Sequence, residues 1–131
     1  MAVQLSTAVR NARLDAIETT ISTSPTLEIR TGAVPANCAA ADSGTVLATL
    51  TLPSDWMAAA SGGSKALSGT WQDTSADATG TAAHFRIKAG ATCHIQGTVG
   101  TSGTDMIVDS VSFTAGQQFT VTAFSLSDGN A

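Results

Sequence analysis

The stretch from Ala83 to Val99 constrains the fold more than any other, because apolar and polar residues alternate strictly on both sides of Gly90. Ala83, Phe85, Ile87 and Ala89 are interleaved with His84, Arg86 and Lys88, and Cys93, Ile95, Gly97 and Val99 with His94, Gln96 and Thr98. A period of two is that of a strand with one apolar and one polar face, so the stretch reads as a β-hairpin. Both apolar sets fall on odd positions. Partners on one face then sum to an even number, which asks for an odd turn around Gly90, most simply of three residues. Pairing Phe85 with Gly97 and Ile87 with Ile95 satisfies this, sets His84 opposite Thr98 and His94 opposite Lys88, and leaves both histidines on the solvated polar face.

The flanking chain supplies further short strands. Residues 6 to 22 read as a helix with Ser6 as N-cap, a Leu14, Ile17, Ile21 stripe and a stop at Pro25. The stripe is narrow, so the helix lies against a surface, its own domain's or a neighbour's. Thr26 to Thr31 alternates as a strand, and Gly32 to Ser43 is a small-residue connection. Thr45 to Leu52 is the next strand, with Leu47 out of phase and Pro53 as its stop. Ser54 to Ala60 suggests a helical turn, and Ala66 to Gln72 a strand centred on Trp71. Met106 to Phe113 and Phe119 to Leu126 follow, joined by a turn at Ala115 to Gln118. In the last strand the apolar parity switches after Ala123, which predicts a β-bulge there or a crossing between sheets. About seven short strands with Gly-rich turns give an all-β class, an antiparallel β-sandwich or jelly-roll-like fold, preceded by one N-terminal helix. Residues 1–24 are expected as a helical arm and 25–131 as the sandwich domain.

A chain of 131 residues is one domain by length and should expose roughly 6,400 Å² of about 19,000 Å² when folded. Only 12% of residues are charged, against about 25% in typical domains, and Ala, Thr, Ser and Gly make up more than half of the chain. The surface is therefore built of hydroxyls and small side chains, which desolvate cheaply against a protein. A net charge of −4 with six Lys and Arg argues against nucleic acid as a partner. No apolar run is long enough to span a membrane, and Arg10, Arg13, Asp15 and Glu18 occupy the place of a signal peptide's apolar core. Without that export route, Cys38 and Cys93 are expected as free thiols.

Catalytic and metal chemistry finds little to work with. His84 and His94 lack a third ligand at metal spacing, and Cys93 beside His94 points to the opposite face of its strand. Asp73, Asp77 and Gly80 lack the acidic periodicity of a calcium loop and read as capping residues of a turn. Gly62-Gly63-Ser64-Lys65 has the letters of a phosphate loop in the wrong order. Trp56 and Trp71 could stack a sugar, but without Tyr or clustered Asn around them they read as packing residues. No catalytic residue and no cofactor are assigned.

Several stretches carry a family resemblance: Leu14-Asp15-Ala16-Ile17-Glu18, Leu27 through Cys38, Leu52-Pro53-Ser54-Asp55-Trp56-Met57, Phe85-Arg86-Ile87, Thr92 through Val99, and Ala115-Gly116-Gln117-Gln118. Together they resemble small proteins encoded in the structural-gene regions of tailed bacteriophages and prophages. The resemblance implies a virion component, non-enzymatic, most simply a capsid decoration or cement protein on the head surface. A tail or fibre component is the alternative within the virion, and a carbohydrate- or receptor-binding module the alternative outside it. The implied partners are the major capsid protein and copies of the chain itself, as a homo-oligomer with a trimer preferred. The arm residues Arg10, Arg13, Leu14, Ile17 and Ile21 are the expected partner-binding set.

Overall fold

In the computed structural model, residues 3–129 are described. Helix α1 (Thr7–Ile21) is followed by β1 (Thr26–Arg30), β2 (Val46–Thr51), β3 (Ser64–Ala66), β4 (Gln72–Asp73) and β5 (Gly80–Thr81). Then come β6 (His84–Ala89), β7 (Thr92–Gly100), β8 (Met106–Val108), β9 (Ser112–Phe113) and β10 (Phe119–Ser127). The expected N-cap is in place, with Ser6 Oγ accepting from Val9 N at 3.2 Å.

Alternation in the central hairpin becomes the β6–β7 ladder. Phe85 pairs with Gly97, Ile87 with Ile95 and His84 with Thr98, as the parity argument requires. The turn differs. Ala89 pairs with Thr92 across a two-residue turn, Gly90–Ala91, with Gly90 at φ +61°, and Lys88 faces Cys93 because the register slips after Ile87. A two-residue turn and a bulge satisfy the same parity that one three-residue turn would. His94 is the bulged residue and is exposed.

The β-rich class with one N-terminal helix holds, but the strands are not all antiparallel and do not form two facing sheets. Eight strands lie in one curled, mixed sheet, a half-barrel ordered β2-β1-β6-β7-β8-β10-β3, with β4 also on β10. The two-stranded β5–β9 pair stands apart from it. β7 and β8 are parallel, Val99 beside Met106 and Gly100 beside Ile107. Parallel neighbours usually need a crossover of a dozen or more residues. Here the link is short because Asp105 folds back: its Oδ2 accepts from Thr98 N at 2.9 Å and from Thr98 Oγ1 at 3.1 Å.

The connection after β4 closes against the β2 margin of the curl, where Asp77 N and Ala78 N both donate to Leu47 O. Leu47 is the residue out of phase in β2: Ile29 pairs with Ala48 and Arg30 with Val46, so Leu47 is the extra residue of a bulge, and it is fully buried. The parity switch in β10 is also a bulge, since Val121 faces Val108 while Ala123 faces Ile107. Inside the curl, aromatic rings run from Trp56 to Trp71 (6.1 Å), Phe124 (5.6 Å) and Phe85 (5.5 Å, edge to face). These spacings are those of favourable offset and T-shaped pairs.

Three local expectations give way. Ser54 to Ala60 is not a helical turn: Met57 bridges Leu67, and Trp56 Nε1 donates to Ser22 O at 3.0 Å, so the segment is held extended beneath the end of α1. Ala66 to Gln72 is not one strand, because the chain leaves β10 after β3 and rejoins it at β4, with Gly69 (φ +74°) in the turn between. Met106 to Phe113 divides into β8 and β9, which pair with different strands. The folded chain exposes 6413 Å², in line with the size scaling.

Gly97 marks the tightest approach in the central ladder. A Cβ there would stand 2.7 Å from Asp105 Oδ2 and 2.9 Å from Phe85 Cε1. Gly97→Ala should therefore cost about 1–3 kcal/mol in denaturant unfolding, the usual range for overpacking. A variant as stable as the parent would show that the Asp105 fold-back is not tight.

Candidate functional site

The polar face of the β1–β6–β7 ladder concentrates charge. Cross-strand pairing sets Arg30 beside His84, Glu28 beside Arg86 and Thr26 beside Lys88, with Thr98, Gln96 and Cys93 on the far side. This face is not solvated. The connection between β1 and β2 folds across it, and Arg30, His84, Arg86 and Lys88 are all buried. Expected as an exposed polar histidine, His84 is fully buried, its Nδ1 2.9 Å from Gly32 O and its Nε2 without a partner. Donation to a carbonyl places the proton on Nδ1.

Local chemistry shapes the covering loop. Asn37 Oδ1 accepts from Ala39 N at 2.9 Å and Ala40 N at 3.0 Å, an Asx turn. That turn aims the carbonyls of Asn37, Cys38 and Ala40 at Arg86 Nη2, each at 3.1 Å. The loop re-enters β2 through Gly44 (φ +69°), where a Cβ would lie 1.8 Å from Thr31 O, so only glycine fits.

Asp42, near the loop's end, is the hub. Its Oδ1 accepts from Arg86 Nη1, and its Oδ2 from Lys88 Nζ at 2.7 Å and Arg30 Nη2 at 3.2 Å. Glu28 Oε1 bridges two of the same cations, Arg30 Nη2 at 2.9 Å and Lys88 Nζ at 3.0 Å. Gln96 completes the shell, accepting from Arg86 Nε at 3.1 Å and donating to Pro35 O at 2.8 Å. Hydrogen bonds from Lys88 and Arg86 hold the Asp42 carboxyl down to about 2. Burial works against the charge on Lys88, but Asp42 and Glu28 outweigh it and its pKa is raised.

Cys38 and Cys93 line a cleft of about 330 Å³ at the edge of this cluster, together with Asp42 and Arg86. Both are free. Burial, then the neighbouring Cys38, pushes the Cys93 thiol up to about 11, so it is a thiol and not a thiolate at neutral pH. The arrangement clamps a loop by charge-assisted hydrogen bonds; it presents no activated nucleophile beside a base.

The expected partner-binding residues lie elsewhere, and the structure does not place them on a free arm. Leu14 and Ile21 are buried against the domain and Ile17 is half-buried. Arg10 Nη1 donates to Asp128 O at 3.4 Å, and Arg13 Nε pairs with Asp128 Oδ2 at 3.1 Å. Helix α1 is docked through a second ionic centre that pattern reading passed over: Lys65, 1% exposed, bonds Asp15 Oδ1 at 2.7 Å, Glu18 Oε1 at 2.8 Å and Ala58 O at 2.9 Å. The signal available was an i, i+3 pair of acids on α1 with an isolated lysine between small residues.

Other candidates are not brought together. His94 sits beside Ile17 in a shallow surface depression, far in the ladder from His84, and among the described residues no three His, Cys, Asp or Glu side chains converge as metal ligands. Trp56 and Trp71 are 0% and 1% exposed, in the core and unavailable to a sugar. Asp73 Oδ1 accepts from Ser75 N at 2.9 Å, the capping role its turn suggested. Among the described residues no helix is long and apolar enough to cross a membrane.

Two outcomes test these ionic centres. Because Asp42 is depressed in the folded state, its contribution is complete above the ordinary value of 3.8 and is lost as pH falls towards about 2. Asp42→Asn should cost about 2 kcal/mol at neutral pH, the scale of charged hydrogen bonds, and flatten the fall in stability between those pH values, both read by denaturant unfolding across pH. At the helix, Asp15→Ala with Glu18→Ala strands a buried ammonium, whereas Lys65→Met replaces it by an apolar chain of similar length. The double variant should therefore lower the thermal midpoint further than Lys65→Met; the reverse order would mean that the helix is held by its apolar stripe alone. Comparisons with protein-family models, with curated proteins and with solved structures give no match for this chain.

Proposed function

We propose that this chain is a structural protein of a tailed-phage virion, a capsid decoration or cement protein that acts through contacts with the major capsid protein and with copies of itself. The observation that carries the reading is the fate of the basic residues. All six pair with acceptors of the chain itself: Arg10 and Arg13 on Asp128, Arg30, Arg86 and Lys88 on Asp42 and Glu28, and Lys65 on Asp15 and Glu18. Apart from Arg13, whose side chain is 56% exposed, what remains outside is a surface of Ser, Thr, Ala and Gly with excess carboxylates. Such a surface has no footprint for a phosphate backbone, and it costs little to desolvate against another protein.

A repeated shell subunit needs a rigid body and gains attachment from many weak contacts. The clamped loop and the docked helix supply the rigidity. With α1 turned inward, the contact surface is assigned to the exposed helix positions around Val9, which is 46% exposed, and to the small-residue turns, and not to Leu14 and Ile21.

The test is cryo-EM with peptide mass spectrometry on particles purified from a host carrying the gene. Symmetric density for this chain on the outer head shell is the expected result. Density confined to the tail would overturn the decoration role, and absence of the chain from the particles would overturn the structural reading.

A further inference from the structure

The two cysteines occupy a place that the clamp does not use. Cys38 lies at the crown of the loop covering the polar face, and Cys93 opposes Lys88 in the β6–β7 ladder. They meet at one cleft, whose wall includes the small-residue run Ala39 to Ala41. Arg86 fixes the approach, since its Nη2 donates to Cys38 O at 3.1 Å while its side chain crosses the face next to Cys93. Cys38 is half-buried, whereas Cys93 is 9% exposed. Hydrogen bonding from Cys38 is the second cause acting on the Cys93 thiol, after burial.

We propose that Cys38 and Cys93 are a dithiol modification site that forms an intramolecular disulfide by exchange with a small-molecule disulfide such as oxidised glutathione. The Cys38 sulfur, as thiolate, attacks one glutathione sulfur, forming a mixed disulfide and expelling one glutathione thiolate. The Cys93 sulfur gives up its proton and attacks the Cys38 sulfur, forming the internal S–S bond and expelling the second glutathione. Two protein thiols are oxidised and one glutathione disulfide is reduced to two glutathiones, with both protons accounted for. Arg86 and Lys88 draw the Cys93 thiol towards ionisation, but burial and Cys38 outweigh them, so the second step is the slower one.

The bond would join positions 38 and 93, a long loop in the unfolded chain, and chain-entropy arguments make such closures strongly stabilising. It would also hold the Asn37, Cys38 and Ala40 carbonyls on Arg86 covalently, where they now depend on hydrogen bonds. The pairing does not rest on where the protein acts.

The experiment is to equilibrate the purified full chain with glutathione buffers of rising oxidised fraction. Free thiols, intact mass, non-reducing peptide maps and thermal midpoint are then followed. Both thiols should disappear together, with the loss of two hydrogens, no retained glutathione, one cross-linked peptide pair containing Cys38 and Cys93, and a midpoint raised by on the order of 10 °C. Reductant should reverse all four changes. Cys93→Ser should stop at one glutathione on Cys38, and if that variant does not fold, the parent's peptide map decides alone. Two persistent thiols, glutathione retained on the parent chain, or a cross-link between two chains would overturn the proposal.

Discussion

One carboxylate, Asp42, makes it possible for a β-sheet to bury both of its faces in this chain. Strand β6 carries apolar side chains inward and His84, Arg86 and Lys88 outward, and the outward set is buried as fully as the inward one. Buried cations need partners close at hand, or the loss of hydration exceeds any gain from packing. Asp42 touches Arg86, Lys88 and Arg30 of the adjoining β1, Glu28 reinforces Arg30 and Lys88, and the loop's own carbonyls take up further guanidinium donors. A loop of mostly small residues thereby becomes a second layer. Its order is electrostatic where that of the inner layer is hydrophobic.

The same division of labour recurs at the helix. An apolar stripe as narrow as Leu14, Ile17 and Ile21 would hold α1 weakly, and Lys65 gives it a polar anchor reaching up from β3. Asn11 Oδ1 accepting from Gly63 N at 2.9 Å and Asp15 Oδ1 accepting from Ala60 N at 2.9 Å tie the helix to backbone as well. A chain with six basic residues has placed all of them at these two joints.

Where physics acts within a strand or between neighbours, the chain was readable before its structure. Parity fixed the 85–97 and 87–95 pairs, flagged the bulge in β10, and marked Leu47 as exceptional, because a one-residue slip reverses every side chain and leaves a trace in the pattern. Capping at Ser6 was equally local. The failures are those of tertiary context. Nothing in the alternation of His84, Arg86 and Lys88 says whether that face meets water or a loop. The helical turn expected at Ser54 to Ala60 rested on propensity, which yielded to the Trp56 indole bond to Ser22 O and to the Met57 bridge. The mixed sheet could not be anticipated either, since a parallel pair joined by so short a link depends on one Asp105 side chain folding back. The ionic centre was half visible: the acids and bases could be read, but not that Asp42 and Asp15 would each become a hub.

The curl of the sheet bears on how such a chain behaves when crowded. An open sheet offers the unpaired N–H and C=O groups of its outer strands as a template for foreign strands, and that hazard grows with local concentration. Here the Leu47 carbonyl on β2 is taken twice by Asp77 and Ala78. At the other margin, β10 is covered by β3 and β4, of three and two residues. The Leu47 bulge interrupts the first margin, and the second ends in strands of only three and two residues. The same bulges and short flanking strands that let the sheet curl around its core also blunt the edges that could recruit a foreign strand.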